Sequence, residues 1–203
     1  MVTVSESILN YATNLLEGTP LTAKELLHLG KRAAVDQALS RLARRGSLIH
    51  AGCGIYMRPV ETRFGVRPPA PAKAIEAIAR MKGETVVRHG AVAANALGLT
   101  SQVPVREVYL TSGPSRQLKF GAQVVEMRHA ASRQLVLAGR RSGDVIRALQ
   151  WLGPEYGAAA IQTLKSELPQ ADLEEVSAIR GGLPGWMAQQ FSPMAVECPA
   201  TPS

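Results

Sequence analysis

Residues 21 to 58 read LTAKELLHLGKRAAVDQALSRLARRGSLIHAGCGIYMR and contain the pattern that decides the fold of this chain. Thr22 followed by Glu25 is a capping-box pair, which predicts the start of a helix. Residues 31 to 45 carry apolar side chains at helical spacing and predict a second, basic helix. Short strands around Gly52-Cys53-Gly54 predict a β-hairpin. This order predicts a winged helix-turn-helix, a unit that places a helix in the major groove of DNA.

The polar side chains of the predicted basic helix fall mostly on its outer side, because Val35, Ala38, Leu39 and Leu42 recur at inward-facing positions. Arginine and glutamine bind guanine and adenine edges through two hydrogen bonds each. The side chains expected to reach base edges are therefore Arg32, Gln37 and Arg41. Phosphate contacts are expected from Lys31, Ser40, Arg44 and Arg45 in the helix, and from His50 and Arg58 beside the hairpin turn.

Two alternatives to DNA binding remain open for this segment. An amphipathic helix with outward arginines is also typical of a solvated surface. A minority of winged helices dock protein partners instead of DNA. The hairpin directly after the basic helix favours the DNA-binding interpretation.

The composition narrows the class of protein. A chain of 203 residues allows one large domain or two small ones. No apolar run reaches the roughly 20 residues of a membrane helix. The first residues, MVTVSESILN, lack the basic start and apolar stretch of a secretory signal. Cys53 and Cys198 are far apart and are expected to be free thiols, so we expect a cytoplasmic protein without a membrane partner.

Charge is distributed unevenly along the chain, whose formal net charge is +7. Residues 1–67 carry a net charge of +4, residues 68–141 carry +7, and residues 142–203 carry −4. A polyanion is the simplest partner for the first two segments. The acidic last third is expected to face away from that polyanion or toward another protein.

The remaining patterns predict an α+β fold, in which the winged helix-turn-helix is followed by a mixed α/β domain with a small sheet and a helical C-terminal end. A first helix is expected over residues 5–16, with Ser5 as its cap. The expected organisation is a DNA-binding domain at 1–60, a proline-rich extended linker at 61–72, a mixed domain at 73–191 and a disordered tail at 192–203.

The mixed domain contains its own elements and its own basic side chains. Its predicted helices lie at 73–82, 90–97, 144–152, 158–168, 172–180 and 184–191, and its predicted strands at 85–87, 105–111, 117–120 and 123–128. The small-residue helix at 90–97 is expected to pack closely against the sheet. A second basic patch is expected from Arg88, Arg106, Arg116, Lys119 and Arg128.

Motifs for catalysis are missing from the sequence. It contains no GxxxxGK[ST] loop, no CxxC and no HExxH, and its four histidines are scattered. We therefore expect no metal, no cofactor and no enzymatic activity. The alternative is a nuclease or nucleotidyl-transfer enzyme that uses the winged helix for targeting. Glu126 would be its candidate metal ligand, although no nearby Asp or Lys completes the motif.

Three segments of the chain resemble one family in the same order. They are LGKRAAVDQALSRLARRGSLIHAGCGIYMRP at 29–59, VRHGAVAANALGLTSQVPVREVYLTSGPSRQLKFGAQVVEMRHA at 87–130, and RALQWLG at 147–153. These segments resemble AbiEi-type antitoxins of type IV toxin–antitoxin, or abortive-infection, systems. The resemblance covers roughly residues 5 to 190. The chain departs from the family at Cys53, where that family often has arginine between two glycines.

The resemblance implies a DNA-binding antitoxin that represses its own operon and takes part in phage defence. The N-terminal domain would bind inverted repeats at its own promoter, as several monomers or as dimers. The second domain would neutralise a nucleotidyltransferase-like toxin without a stable complex between the two proteins. These expectations follow from the resemblance alone, whereas the residues themselves predict a basic winged helix joined to a basic mixed domain.

Overall fold

The computed structural model describes residues 2–102 and 106–191, and it has the α+β composition predicted from the sequence. These residues form two compact units. One unit holds residues 2–86 and 106–130, and the other holds residues 87–102 and 131–191. The sequence predicts a boundary in the 61–72 segment instead. The first unit includes later segments of the chain because strands within residues 106–130 pack beside the winged helix.

The first helix, α1 (Val4–Thr13), begins and ends earlier than predicted. Its cap is Thr3 and not Ser5, because Thr3 and Glu6 form both halves of a capping box. The backbone amide of Thr3 donates to Glu6 Oε2 at 2.7 Å, and the amide of Glu6 donates to Thr3 Oγ1 at 3.3 Å. Ile8 and Ala12 are the residues of this helix that enter the core.

The prediction of an α-helix from Thr22 onward is wrong. Leu21–Thr22 is a short strand, β1, and only Leu27–Leu29 is helical, as one turn of 3-10 helix. The backbone at β1 pairs with Ile55 and Tyr56, so it is held extended. The carboxylate of Glu25 still accepts hydrogen bonds from the amide and hydroxyl of Thr22, at 2.9 and 3.0 Å.

The basic helix and the hairpin form as predicted. The helix is α2 (Arg32–Arg44), and the hairpin consists of β2 (Ile49–Gly52) and β3 (Ile55–Met57). Strands β2 and β3 form a three-stranded antiparallel sheet with β1, in the order β1-β3-β2. Helix, edge strand, short helical turn, exposed helix and hairpin together make a winged helix.

The segment predicted as an extended linker contains a second hairpin and the start of a helix. Strands β4 (Val60–Thr62) and β5 (Gly65–Arg67) pair antiparallel, and α3 (Pro71–Lys82) follows. The left-handed backbone of Gly65, with φ of 111°, permits the tight turn between these strands. The hydroxyl of Thr62 donates to the carbonyl of Gly65 at 2.8 Å and accepts from the amide of Phe64 at 3.2 Å.

The later strands form a mixed sheet, most of which belongs to the first unit. Its strands are β6 (Val86–Arg88), β7 (Glu107–Thr111), β8 (Arg116–Phe120) and β9 (Gln123–His129), in the order β6-β7-β9-β8. The β7–β9 pair is parallel and the β8–β9 pair is antiparallel. One face of β8 and β9 packs in a single cluster with α3 and with the buried residues of the β2–β3 hairpin.

A buried ion pair fastens the start of β8 in the first unit. Nη1 of Arg116 donates to Glu84 Oε1 at 3.0 Å, and the side chains are only 6% and 10% exposed. Burial raises the pKa of the Glu84 carboxyl, but the hydrogen bonds and charge of Arg116 and the hydroxyl of Thr111 outweigh burial and leave the pKa below its usual value. A Cβ at Gly113 would lie 2.3 Å from the Glu84 carboxyl group, so the pair also requires glycine there.

The second unit is helical. Helices α4 (Gly90–Ala96), α5 (Arg141–Glu167), α6 (Gln170–Ala178) and α7 (Gly185–Gln190) surround one apolar cluster. Two of the predicted helices merge in α5, with non-helical backbone at Gly153 before Pro154. Helix α4, for which the sequence predicts packing against the sheet, packs against α5 of its own unit, because Gly90 lets the two backbones meet at the carbonyl of Arg147. Among the described residues, no helix has the length and apolar character needed to cross a bilayer. The tail predicted at 192–203 lies outside the described residues.

We expect Glu84→Gln to lower the free energy of unfolding by about 3–5 kcal/mol, because it leaves the guanidinium of Arg116 buried without a counter-charge. Urea unfolding of the full chain measures this change. The matched control is Glu126→Gln, which breaks the pair with the half-exposed Arg128 and is expected to cost about 1 kcal/mol or less. Equal costs for the two variants would contradict a structural role for the buried pair.

Candidate nucleic-acid interface

Helix α2 is fixed by one face and free on the other. Its apolar residues are at most 3% exposed and pack with α1, β1 and the turn before the helix: Val35, Ala38, Leu39 and Leu42. Gln37, Arg41 and Arg44 lie on the opposite face and are exposed, and Ser40 beside them is half-buried. The core therefore sets which side chains the helix presents to a partner.

The cations of this face have no partners within the described residues. No hydrogen bond or ion pair there involves the side chains of Gln37, Arg41 and Arg44, nor those of Lys31 and Arg45 at the two ends of the helix. Arginine side chains in this state keep all their donors available for an anion or a base edge. Of the predicted contact residues, Gln37, Arg41 and Arg44 are thus brought together on one accessible face of α2.

Arg32 differs from the other cations of α2. Its Nε donates to Asp36 Oδ2 at 2.8 Å, and the two side chains are 64% and 51% exposed. An exposed pair of this kind contributes little to stability. Arg32 can therefore exchange Asp36 for a phosphate or a base at small cost.

The first hairpin is packed into the unit along most of its length. Ala51, Ile55 and Met57 are at most 1% exposed and share a cluster with strands β8 and β9. A Cβ at Gly52 would lie 3.3 Å from the carbonyl oxygen of Gln117 in β8. The turn at Cys53 and Gly54 is exposed, and its positive φ values of 53° and 69° are typical of a type I′ turn.

The two predicted phosphate contacts beside this hairpin have different environments. His50 is exposed, and its ring stacks on Tyr56 with the centroids 4.7 Å apart. Arg58 is half-buried, and its Nη1 donates to the carbonyl of Thr13 at 3.0 Å. Arg58 therefore satisfies an orphan carbonyl at the C-terminal end of α1, a structural role that the sequence did not indicate.

The second basic patch is not a single surface. Arg116 is buried against Glu84, so the expectation that it contacts nucleic acid is corrected. Arg128 binds Glu126 through two hydrogen bonds, and this pairing raises the pKa of its guanidinium. Lys119 and Arg106 are exposed in the first unit, and Arg88 is exposed in the second unit.

An ion cluster around a single carboxylate, Glu17, lies at the base of the second hairpin, and the sequence did not predict it. Glu17 accepts hydrogen bonds of 3.0 Å from the amide of Ala70, from Arg67 and from Lys73. These hydrogen bonds lower the pKa of Glu17 to about 2, and the bond from the amide of Ala70 has the largest effect. These partners lie 50 to 56 residues away along the chain, so no local pattern indicates them.

Metal-ligating side chains are dispersed in the part of the chain that the structure describes. No group of three or more His, Cys, Asp or Glu side chains there is close enough to hold a metal ion. Glu126, the candidate ligand of the enzyme alternative, binds Arg128 instead. The unpaired arginines of α2 remain the most distinctive chemical feature of the first unit.

Comparison with known proteins gives one family. Residues 7–176 match the family described as "Family of unknown function (DUF6088)". The chain belongs to the DUF6088 family. No curated protein and no solved structure matches it. Because the function of DUF6088 proteins is unknown, membership leaves the resemblance to AbiEi-type antitoxins as a prediction.

We expect Glu17→Gln to destabilise the chain at neutral pH and to weaken the pH dependence of its stability in acid. The carboxylate has a folded pKa of about 2 and an ordinary unfolded value near 4.5. Its stabilisation is therefore complete above pH 4.5 and is lost as the pH falls from 4.5 through 2.

Urea midpoints of the wild type and the variant, measured from pH 7 to pH 2, test this prediction. The difference between them should shrink below pH 4.5. The control Glu76→Gln changes an exposed glutamate of α3 and should leave the pH profile unchanged. A difference for Glu17→Gln that stays constant down to pH 2 would contradict the assigned ion cluster.

Proposed function

We propose that this DUF6088 protein is a sequence-specific binder of double-stranded DNA that places α2 in the major groove. The observation that carries the proposal is the exposed face of α2. Gln37, Arg41 and Arg44 are free of protein partners there, while the opposite face is locked into the core. An α-helix has the dimensions to enter the major groove, where each base pair presents a distinct pattern of donors and acceptors.

The side chains of α2 divide by chemistry into two groups. Arg41 is suited to bind O6 and N7 of a guanine, and Gln37 is suited to bind N6 and N7 of an adenine. The side chains suited to phosphates are Lys31, Ser40, Arg44 and Arg45, with Arg32 joining either group once Asp36 releases it. Phosphate contacts fix the position of the helix, and base contacts select the sequence.

The charge of the chain supports a polyanionic partner. The full sequence has 23 Lys and Arg against 16 Asp and Glu. Such an excess accelerates the encounter with DNA and makes binding depend steeply on salt concentration. It does not select a sequence, so specificity in this proposal comes from α2.

The regulatory part of the proposal has a different support, the resemblance to AbiEi-type antitoxins. On that basis, we propose that the protein acts in the cytoplasm as an autorepressor that binds inverted repeats at its own promoter. It would also counteract a nucleotidyltransferase-like toxin in phage defence without forming a stable complex. Its role is then binding and not catalysis.

The test is a fluorescence-anisotropy titration of the full chain against the duplex upstream of its own gene and against a scrambled duplex, at two salt concentrations. We expect a preference of roughly 10³-fold for the upstream duplex and a steep loss of affinity in salt. Equal binding to both duplexes would contradict the autorepressor. Weak binding with little salt dependence would favour a protein-docking winged helix, and metal-dependent cleavage abolished by Glu126→Gln would favour the enzyme.

We expect Arg41→Ala to cost about 1–3 kcal/mol of binding free energy on the preferred duplex and to reduce discrimination against the scrambled one. The matched control is Arg80→Ala, which removes an exposed arginine from α3, outside the proposed interface. It should change both affinities little. An equal loss on both duplexes for Arg41→Ala would reject base reading by Arg41 and leave it a phosphate contact.

A further inference from the structure

The second hairpin, β4–β5, presents an apolar and basic tip to solvent. Arg63 and Phe64 form the tip between the paired residues Thr62 and Gly65. Phe64 is 85% exposed, and Val66 in the next strand is 68% exposed. The guanidinium carbon of Arg63 lies 4.6 Å from the centroid of the Phe64 ring. Folding gains nothing from an aromatic ring left in water, so this pair suggests an intermolecular role.

The hairpin is held firmly at its base. Arg67 at the end of β5 binds Glu17, which also binds the amide of Ala70 and the ammonium of Lys73. The hydroxyl of Thr62 stabilises the turn through its hydrogen bonds to the carbonyl of Gly65 and the amide of Phe64. Arg63 and Phe64 therefore stand on a fixed support, which lowers the entropy lost when they contact a partner.

The hairpin lies beside the C-terminal end of α2. A groove of about 380 Å³ is lined by Arg45 and Gly46 after α2, by Arg58, and by Glu61 and Val66 of the hairpin. All of these residues belong to the same compact unit. The end of α2 and the second hairpin therefore flank one groove of this unit.

Around the groove and the tip, the three cations Arg45, Arg58 and Arg63 outnumber the one carboxylate Glu61, so charge favours nucleic acid as the partner on this flank. No carboxylate pairs with Arg63 within residues 2–102 and 106–191, and Arg45 is likewise without an ion pair there. A narrow minor groove concentrates negative potential and attracts inserted arginines. Apolar side chains such as phenylalanine make wedge contacts in the same groove.

We propose that the β4–β5 hairpin is the DNA-contacting wing of this protein. The proposal rests on the proposed function, in which α2 occupies the major groove. Arg63 enters the flanking minor groove and Phe64 packs against its sugars. The β2–β3 hairpin, which follows α2 directly, instead joins the helical part of the unit to strands β8 and β9.

The test uses the full chain and the duplex for which it shows the highest affinity. Phe64→Ala and Arg63→Ala are each expected to weaken binding by roughly tenfold, and Arg63→Ala is expected to reduce the salt slope by about one. When a flanking A·T tract is replaced with G·C pairs, the wild type should lose more DNA affinity than the Arg63→Ala variant loses. Because Phe64 is exposed, thermal unfolding of Phe64→Ala should match the wild type.

The control Tyr156→Ala removes an exposed aromatic ring from α5 in the other unit and should leave DNA affinity unchanged. Wild-type affinity and salt slope in both hairpin variants, with binding still lost in Arg41→Ala, would overturn the wing and leave the proposed function standing. Failure of the wild type itself to prefer any duplex would overturn both. Unchanged DNA binding together with loss of a protein contact would assign the hairpin to a protein partner and overturn the proposal.

Discussion

The burial of one face of α2 is the constraint on which the rest of the first unit depends. Val35, Ala38, Leu39 and Leu42 enter a core shared with α1 and β1, and burying each of the larger side chains contributes roughly 1.5–3 kcal/mol. Rotating the helix would expose these residues and bury its arginines, which is costly. The orientation of the cationic face is therefore a consequence of core packing.

Two hairpins with different burial follow this helix. The β2–β3 hairpin carries Ala51, Ile55 and Met57 into a cluster with β8 and β9, so its sides are part of the core. The β4–β5 hairpin leaves Phe64 and Val66 in water and is anchored through Glu17. The first hairpin is thus used for packing, and this is why we propose the second hairpin as the element that contacts the duplex.

Local patterns predicted the elements that local physics determines. Both the apolar repeat of α2 and the turn at Cys53-Gly54 could be predicted from the sequence, since helical spacing and turn formation depend on residues close in the chain. The helix at Thr22 failed because the backbone there pairs with β3, which lies more than 30 residues away. Likewise, Arg116 was assigned to a surface because its partner Glu84 is 32 residues distant. Prolines around residues 61–72 concealed a hairpin only a few residues long.

Chemical modification of the DNA tests directly whether α2 binds base edges in the major groove, as we propose. Guanines of the preferred duplex are replaced by 7-deazaguanine, which removes the N7 acceptor from the major groove and keeps base pairing. We expect a loss of affinity of roughly tenfold or more at the guanine bound by Arg41, and no further loss when Arg41→Ala is tested on the same duplex. Unchanged wild-type affinity for every substituted guanine would contradict base reading by α2.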